Sequence, residues 1–237
     1  MKAVVMAGGK GARLQPFTAS FPKPLMPLGD MPVIELLLRQ LKAAGVAEVI
    51  LAVNHLHHLI RAFCGDGSNF GLKIDYSLED APLGTAGPMA AVLDRLGDNF
   101  VVTNGDLLTN FDIAAMAEKH VSSAAAASIA VFERKVTIDF GLVLTDDRML
   151  LTGYQEKPTY SHLVSMGLYI LSRRAVAPHL KTGVRLDMPD LMQLLVAQGS
   201  PVLCQKQDCV WLDIGRPDDY AAAQKLFEER REIFIKD

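Results

Sequence analysis

Short continuous apolar runs alternate with stretches of helical spacing through the first half of the chain, and that alternation limits the folds open to it. Residues 3–7 run straight into Gly8-Gly9, as a strand buried on both faces does. From Pro32 onward, Ile34, Leu37, Leu38, Leu41 and Ala44 recur at helical spacing, and Gly45 closes the pattern. Residues 49–53 read as a second buried strand. Leu56, Ile60 and Phe63 suggest a short helix, and 72–76 a third strand. The pattern predicts a helix over 86–96, a fourth strand over 100–103 and another helix over 113–120. Strand, helix, strand repeated in this way implies a doubly wound α/β sheet, mostly parallel, with right-handed crossovers. In the second half, 128–132, 141–144 and 164–171 predict strands whose pairing is partly antiparallel. Residues 189–197 predict a helix, and Pro217 opens a last one running to about Arg231. No Pro/Ser-rich linker and no internal repeat divides the chain, so residues 1–237 read as a single domain.

Composition excludes several classes of function. Half of the 237 residues are hydrophobic and 22% are charged, which excludes a disordered or low-complexity chain. Twenty-four basic against 27 acidic residues leave a net charge of −3 with no basic stripe, which argues against a nucleic-acid partner. Small phosphorylated ligands stay open, because a few placed cations can hold them. Cys64, Cys204 and Cys209 form no Cys-x-x-Cys pair and read as reduced thiols. The apolar N-terminal run is too short for a signal peptide, and no stretch reaches the roughly 20 apolar residues of a membrane span. A soluble, cytoplasmic protein without a membrane partner is expected.

Gly8-Gly9-Lys10-Gly11-Ala12-Arg13 follows the first predicted strand directly. Leu14 stands where a dinucleotide fingerprint needs its third glycine, and no Gly-Lys-Ser/Thr of a P-loop occurs. The loop alone is equally a phosphate or base cradle and a tight turn with solvated basic residues. The following residues favour the cradle. Pro22-Lys23-Pro24 stiffens the backbone around a second cation, so Lys23 is expected to be held in place. The carboxyl end of the first strand of a doubly wound sheet is also where such folds bind ligands.

From Gly8 to Leu25 the chain resembles the sugar-1-phosphate nucleotidyltransferases, the NDP-sugar pyrophosphorylases. Their signature Gly-Gly-x-Gly-Thr-Arg-Leu-x-Pro-Leu-Thr followed by Pro-Lys-Pro-Leu is matched almost position for position. Leu83-Gly84-Thr85-Ala86-Gly87 and Trp211-Leu212-Asp213-Ile214-Gly215-Arg216-Pro217 match further blocks, and Asn104-Gly105-Asp106 and Glu156-Lys157-Pro158 match shorter ones. The resemblance is strongest to the mannose-1-phosphate and heptose-1-phosphate guanylyltransferase branches. It implies a Rossmann-like fold with a mixed, mostly parallel sheet. Many relatives add a C-terminal left-handed β-helix, which is not expected here.

The activity implied is attack by a sugar-1-phosphate oxygen on the α-phosphorus of a nucleoside triphosphate, with magnesium as cofactor. By the resemblance, Asp106 and Asp213 hold Mg²⁺, Arg13 and Lys23 grip the triphosphate, and Lys157 takes the phosphate of the acceptor. Gly8, Gly9, Gly11 and Gly84 are expected along the nucleotide. Gly141, Glu156 and Ser165 are expected along the sugar. Taken singly, Asp106 could instead cap the helix near Asp112. Glu79 lies five residues before Gly84. Its carboxylate only accepts hydrogen bonds, and guanine offers adjacent N1–H and N2–H donors where uracil and thymine offer one, which favours GTP modestly, although uridylyl relatives also carry Glu at this place. Uridylyl or thymidylyl transfer, or a non-catalytic nucleotide-sugar-binding homologue, are the alternatives.

The chain departs from the signature at Ala12, which replaces Thr, and at Ser165, which stands where relatives often carry a sugar-contacting Asn. The acceptor sugar is therefore left open. His55, His57 and His58 do not share one helical face and read as a solvated helix start rather than a metal site. Trp211 fits a core position and a stacking position equally well. Met188 and Met192 fit either core packing or a homodimer contact.

Overall fold

The computed structural model describes residues 1–79 and 81–235. In chain order, β1 (Lys2–Met6) is followed by the short pair β2 (Pro27–Leu28) and β3 (Met31–Pro32), then α1 (Val33–Ala43) and β4 (Glu48–Val53). Next come α2 (His57–Cys64), β5 (Lys73–Leu78), β6 (Asn99–Asn104), β7 (Leu107–Thr109) and α3 (Ile113–Ser123). The second half contains β8 (Ala127–Thr137), β9 (Leu142–Thr145), β10 (Leu151–Gln155), β11 (Thr159–Ser172) and α4 (Arg173–Val176). It ends with α5 (Met188–Ala197), β12 (Val202–Lys206), β13 (Trp211–Asp213) and α6 (Pro217–Glu229).

The main sheet has seven strands in the order β12-β8-β11-β6-β1-β4-β5. Neighbours pair in parallel except β11, which runs antiparallel to both β6 and β8. This is the mixed, mostly parallel sheet with flanking helices that the alternation implies. β1 lies between β6 and β4, which explains its unbroken apolar run. Its side chains alternate between two cores. Ala3 and Val5 pack with Leu37, Leu38 and Leu41 of α1 and Ile60 of α2. Val4 packs on the other face with Met188, Leu191, Met192 and Leu195 of α5. Met188 and Met192 are thus core residues.

A third apolar cluster decides where the site's loops sit. Leu14, Leu28, Val33, Leu36, Leu108, Ile214, Ala223, Phe227 and Phe234 pack together. The cluster fastens the glycine-loop segment, the β7–β13 ribbon and α6 to one another.

Two expectations are corrected. Residues 86–96 form two 3-10 turns, Gly87–Ala91 and Leu93–Arg95, rather than one helix. The amides of Ala86 and Gly87 both donate to Leu186 O, and Pro88 has no N–H, so the first turn is tied to a neighbouring loop instead of to its own chain. The strands of the second half are longer than their apolar runs: β8 and β11 continue as a pair from Thr137 and Thr159 inward. Their outer residues are mostly exposed, so apolar patterning could not mark them. Among the described residues no helix is long and apolar enough to cross a membrane.

Candidate active site

β1, β4, β5 and β6 run in the same direction, so their carboxyl ends open on one side of the sheet. The residues that follow these four strands line a cavity of about 520 Å³. Gly8, Gly9 and Lys10 come from the end of β1, Asn54 from β4, Glu79 from β5, and Asn104, Gly105 and Asp106 from β6. Lys23, Pro24, Pro82, Leu83, Gly84 and Thr85 add to the lining. A second cavity of about 280 Å³ shares Thr85 and Asn104 with the first. Ser165, Met166, Gly167, Tyr169, Trp211 and Asp213 are among its walls.

The glycines set the approach to the first cavity. Gly84 has φ +81°, and a β-carbon there would lie 2.5 Å from Leu186 O and 2.6 Å from Asp187 Oδ1. Only glycine satisfies both demands. Gly8 is tight for a different reason: a β-carbon would lie 3.1 Å from Glu79 Oε1 and 3.3 Å from Asn54 Cβ. Gly11 stands just outside the lining, its carbonyl accepting from Thr18 Oγ1 at 2.7 Å.

Lys23 and Asp106 line the larger cavity and Asp213 the smaller, whereas Arg13 lines neither. Lys23 Nζ donates to Asp106 Oδ2, and both side chains are largely buried. Asp106 Oδ1 is buried without a hydrogen-bond partner among the described residues. β13 pairs antiparallel with β7, opposing Asp213 to Leu107, and Ile214 N donates to Asp106 O at 3.3 Å. The ribbon therefore holds the two aspartates side by side. Burial pushes the Asp213 carboxyl above its ordinary value, the Asp106 charge pushes the same way, and Lys23 and Arg13 oppose them. A β-carbon on Gly215 would lie 3.3 Å from Asp213 Oδ2 and 3.4 Å from an Arg13 guanidinium nitrogen, so both groups face one glycine. Helix α3 is capped by Asp112 itself, whose carboxylate accepts from Ala115 N at 3.0 Å. Asp106 is not used as a cap.

Glu79 is half-buried. Burial raises its pKa, and Leu83 N donates to its Oε2 at 3.4 Å. Ser165 Oγ lies 2.8 Å from Tyr169 OH in the second cavity. Trp211 packs against Phe132 with ring centroids 5.6 Å apart, donates to Met166 O at 3.2 Å, and still lines the second cavity.

Gly141, Glu156 and Lys157 line neither cavity. Gly141 precedes β9, and the other two form the exposed turn between β10 and β11. Lys157 has φ +44°, strained for a residue with a side chain and more so before proline. The histidines form no metal cluster: His57 sits on α2 with Nδ1 3.1 Å from Asn54 O, and no group of three or more potential ligands exists among the described residues. Sequence reasoning gave no role to Asn54, Asn104 or Tyr169, all of which line the cavities. For Asn54 the signal was available, since it directly follows a predicted parallel strand, where ligands bind in such sheets.

A sheet of this topology with its cavity at the carboxyl ends of parallel strands defines an α/β protein of the class that binds ligands at those strand ends. Residues 2–230 match the nucleotidyl transferase family model, and the chain belongs to that family. It is 34% identical to the mannose-1-phosphate guanylyltransferase of Mycobacterium tuberculosis, over 92% of this chain and 62% of that protein. It is 32% identical to the UTP–glucose-1-phosphate uridylyltransferase of Synechocystis, over 93% of this chain and 61% of that one. The chain thus spans about three fifths of the length of these curated relatives. Among solved structures, a Bacillus anthracis protein described as a glucose-1-phosphate thymidylyltransferase superimposes with a TM-score of 0.77 at 25% identity, covering 95% of this chain and 94% of that one. HddC from Yersinia pseudotuberculosis superimposes with a TM-score of 0.74 at 22% identity, covering 95% and 99% respectively, and shares the fold.

Proposed function

We propose that the chain transfers a nucleotidyl group from a nucleoside triphosphate to a sugar-1-phosphate, releasing pyrophosphate, with guanylyl transfer favoured. The observation that carries this reading is the meeting of Lys23, Asp106 and Asp213 along two adjoining cavities, one bordered by the glycine loop, with Arg13 beside Asp213 just outside both. The larger cavity takes the triphosphate and the smaller one the acceptor. An oxygen of the acceptor phosphate bonds to the α-phosphorus, the bond from α-phosphorus to the bridging oxygen breaks, and pyrophosphate leaves with that electron pair. The attacking oxygen is already ionised near neutral pH, the second phosphate pKa being about 6, so no general base is needed. Alignment and charge neutralisation remain for the protein to supply.

Arg13 and Lys23 neutralise the triphosphate and the departing pyrophosphate. By the family resemblance, Lys157 of the β10–β11 turn takes the acceptor phosphate and Glu156 the sugar hydroxyls. The strained Lys157 backbone supports a functional constraint at that turn. The donor set fits a magnesium ion: the free, buried Asp106 Oδ1 and the neighbouring Asp213 carboxylate are hard oxygen ligands and would hold it. Bound there, it would neutralise phosphoryl charge as a Lewis acid. Glu79 supports guanine over pyrimidines through its acceptor-only carboxylate.

Pyrophosphate release measured with the four common triphosphates against a panel of sugar-1-phosphates tests the proposal. Turnover with a GTP-and-acceptor pair is expected to vanish in Asp106→Ala. Equal background rates in wild type and variant would sink it.

A further inference from the structure

Asp106 and Asp213 come from distant parts of the chain, and the β7–β13 ribbon brings them together. It is three residue pairs long: Trp211 opposite Thr109, Leu212 opposite Leu108 and Asp213 opposite Leu107. A two-stranded ribbon that short does not hold its own register. A slip of one residue would carry Asp213 about 3.3 Å along β7 and turn it to the other face. The apolar cluster around Leu108 presses the ribbon down, but apolar contact is non-directional, and position along the strand is left to hydrogen bonds. The acids lie at one end of the ribbon, and the bonds that fasten it gather at the other. Thr109, 4% exposed, donates through Oγ1 to Val210 O at 2.7 Å and accepts from Phe111 N at 3.1 Å. Asn110 Oδ1 accepts from Val210 N at 2.7 Å. Gln40 reaches this end from α1: its Nε2 donates to Thr109 O at 2.7 Å and to Phe234 O at 3.0 Å. One amide thus joins α1, β7 and the C-terminal segment. The three meet around a cavity of about 180 Å³ lined by Gln40, Asn110, Phe111 and Phe234 among others, so packing there is incomplete and does not stand in for the amide. Helix α1 is itself seated against β1 through Leu37, Leu38 and Leu41. Through Gln40 the ribbon takes its position from the central sheet.

We infer that Gln40 is a positioning residue: by tying the far end of the ribbon and the C-terminal segment to α1, it holds Asp213 where it and Asp106 can share one divalent cation. Both acceptors are backbone carbonyls, so the position calls for a donor of this reach rather than for glutamine as such. Without the donors, Thr109 O, on a buried residue, loses its side-chain partner, and the end of the ribbon is free to move into the cavity beside it. Magnesium takes its ligands at about 2.0–2.1 Å in near-ideal octahedral geometry, so a shift of roughly 1 Å at Asp213 ends shared coordination. Gln40 touches neither acid and acts only through the ribbon. This inference rests on the two aspartates being the cation site of the proposed transferase, and names what sets their separation.

The test is titration of the nucleotide-free full chain with Mn²⁺, read by electron paramagnetic resonance, with melting temperatures recorded beside it. Gln40→Leu removes both donors at similar size, Gln40→Glu sets a carboxylate against two carbonyl oxygens, and Gln40→Lys restores a donor of similar reach. Gln40→Leu is expected to weaken Mn²⁺ binding about tenfold and Gln40→Glu at least as much, whereas Gln40→Lys stays within about threefold of wild type. Leu72→Ala, which empties a leucine site in the first apolar cluster, is the control for stability alone: it should lower Tm and leave Mn²⁺ affinity unchanged. In turnover, the Mg²⁺ concentration for half-maximal rate should rise in Gln40→Leu by the factor seen with Mn²⁺, with the KM for acceptor nearly unchanged. Should Gln40→Leu not fold, the contrast between Gln40→Glu and Gln40→Lys carries the comparison. Affinity within about twofold of wild type in the folded Leu or Glu variant would overturn the inference, as would an equal loss in Leu72→Ala, or no Mn²⁺ bound by wild type or by Lys23→Met. Gln40-dependent Mn²⁺ binding without pyrophosphate release would uphold it and sink the transferase reading instead.

Discussion

Asp213 is held in a state its own chemistry resists. Burial and the Asp106 charge raise its pKa, so between the ordinary aspartate value and that raised value the folded chain binds more protons than the unfolded one. Stability therefore falls as pH rises through that window, and ionised Asp213 is a net cost to the fold at neutral pH. Asp213→Asn is expected to raise Tm at pH 7 and to lose that advantage near pH 3, while cutting kcat by about 10²-fold or more. Thermal melts at the two pH values read the sign directly, and a lower Tm at pH 7 would contradict it. Lys23 occupies Asp106 Oδ2 in the same cluster. Lys23→Met should therefore let the nucleotide-free protein bind Mn²⁺ more tightly, by about tenfold on the strength of a charge-assisted bond, while turnover falls. Titration of Mn²⁺ by electron paramagnetic resonance would report it.

At the scale of elements, the β7–β13 ribbon and the glycine-loop segment owe their positions to apolar neighbours rather than to each other's charges. Leu14 is fully buried next to Arg13, Ile214 next to Asp213, and Leu108 two residues beyond Asp106, all in one cluster with Phe227 of α6. Leu14→Ala is expected to cost about 2–5 kcal/mol, the range for emptying a packed leucine site, and to raise the KM for triphosphate by releasing Arg13. Chemical denaturation and steady-state kinetics on one preparation separate the two effects. The β10–β11 turn behaves differently. Glu156 and Lys157 lie exposed and line neither cavity, so the acceptor role proposed for them requires the turn and the acceptor to come together. Lys157→Ala should raise the KM for sugar-1-phosphate more than that for triphosphate. An unchanged acceptor KM would remove Lys157 from the site.

Across the whole molecule, both proposed substrates lie on one side of the sheet and share the walls formed by Thr85 and Asn104. A ligand seated there binds only the folded chain and must stabilise it. At about 100 times its Kd, GTP with Mg²⁺ should add ~2.7 kcal/mol and raise Tm measurably, whereas UTP at the same concentration should do less. Scanning calorimetry with each triphosphate would check the order.

Much of this was legible without coordinates, because strands buried on both faces must be apolar throughout and glycine- or proline-stiffened loops must follow them. Residues 3–7 and 49–53, and the cations Arg13 and Lys23 with the acids Asp106 and Asp213, were readable on those grounds or by resemblance. The outer reaches of β8 and β11 were not, since exposed strands need no apolar pattern and are defined by their partner's backbone. Nor was the failure of 86–96 as a helix, which follows from hydrogen bonds to Leu186, about a hundred residues away in the chain. Asn54 and Glu79 stand together only because parallel pairing brings the ends of β4 and β5 beside Gly8. Local chemistry is written residue by residue, whereas which side chains face one another depends on strand order and register, and these emerge only when the whole sheet is assembled.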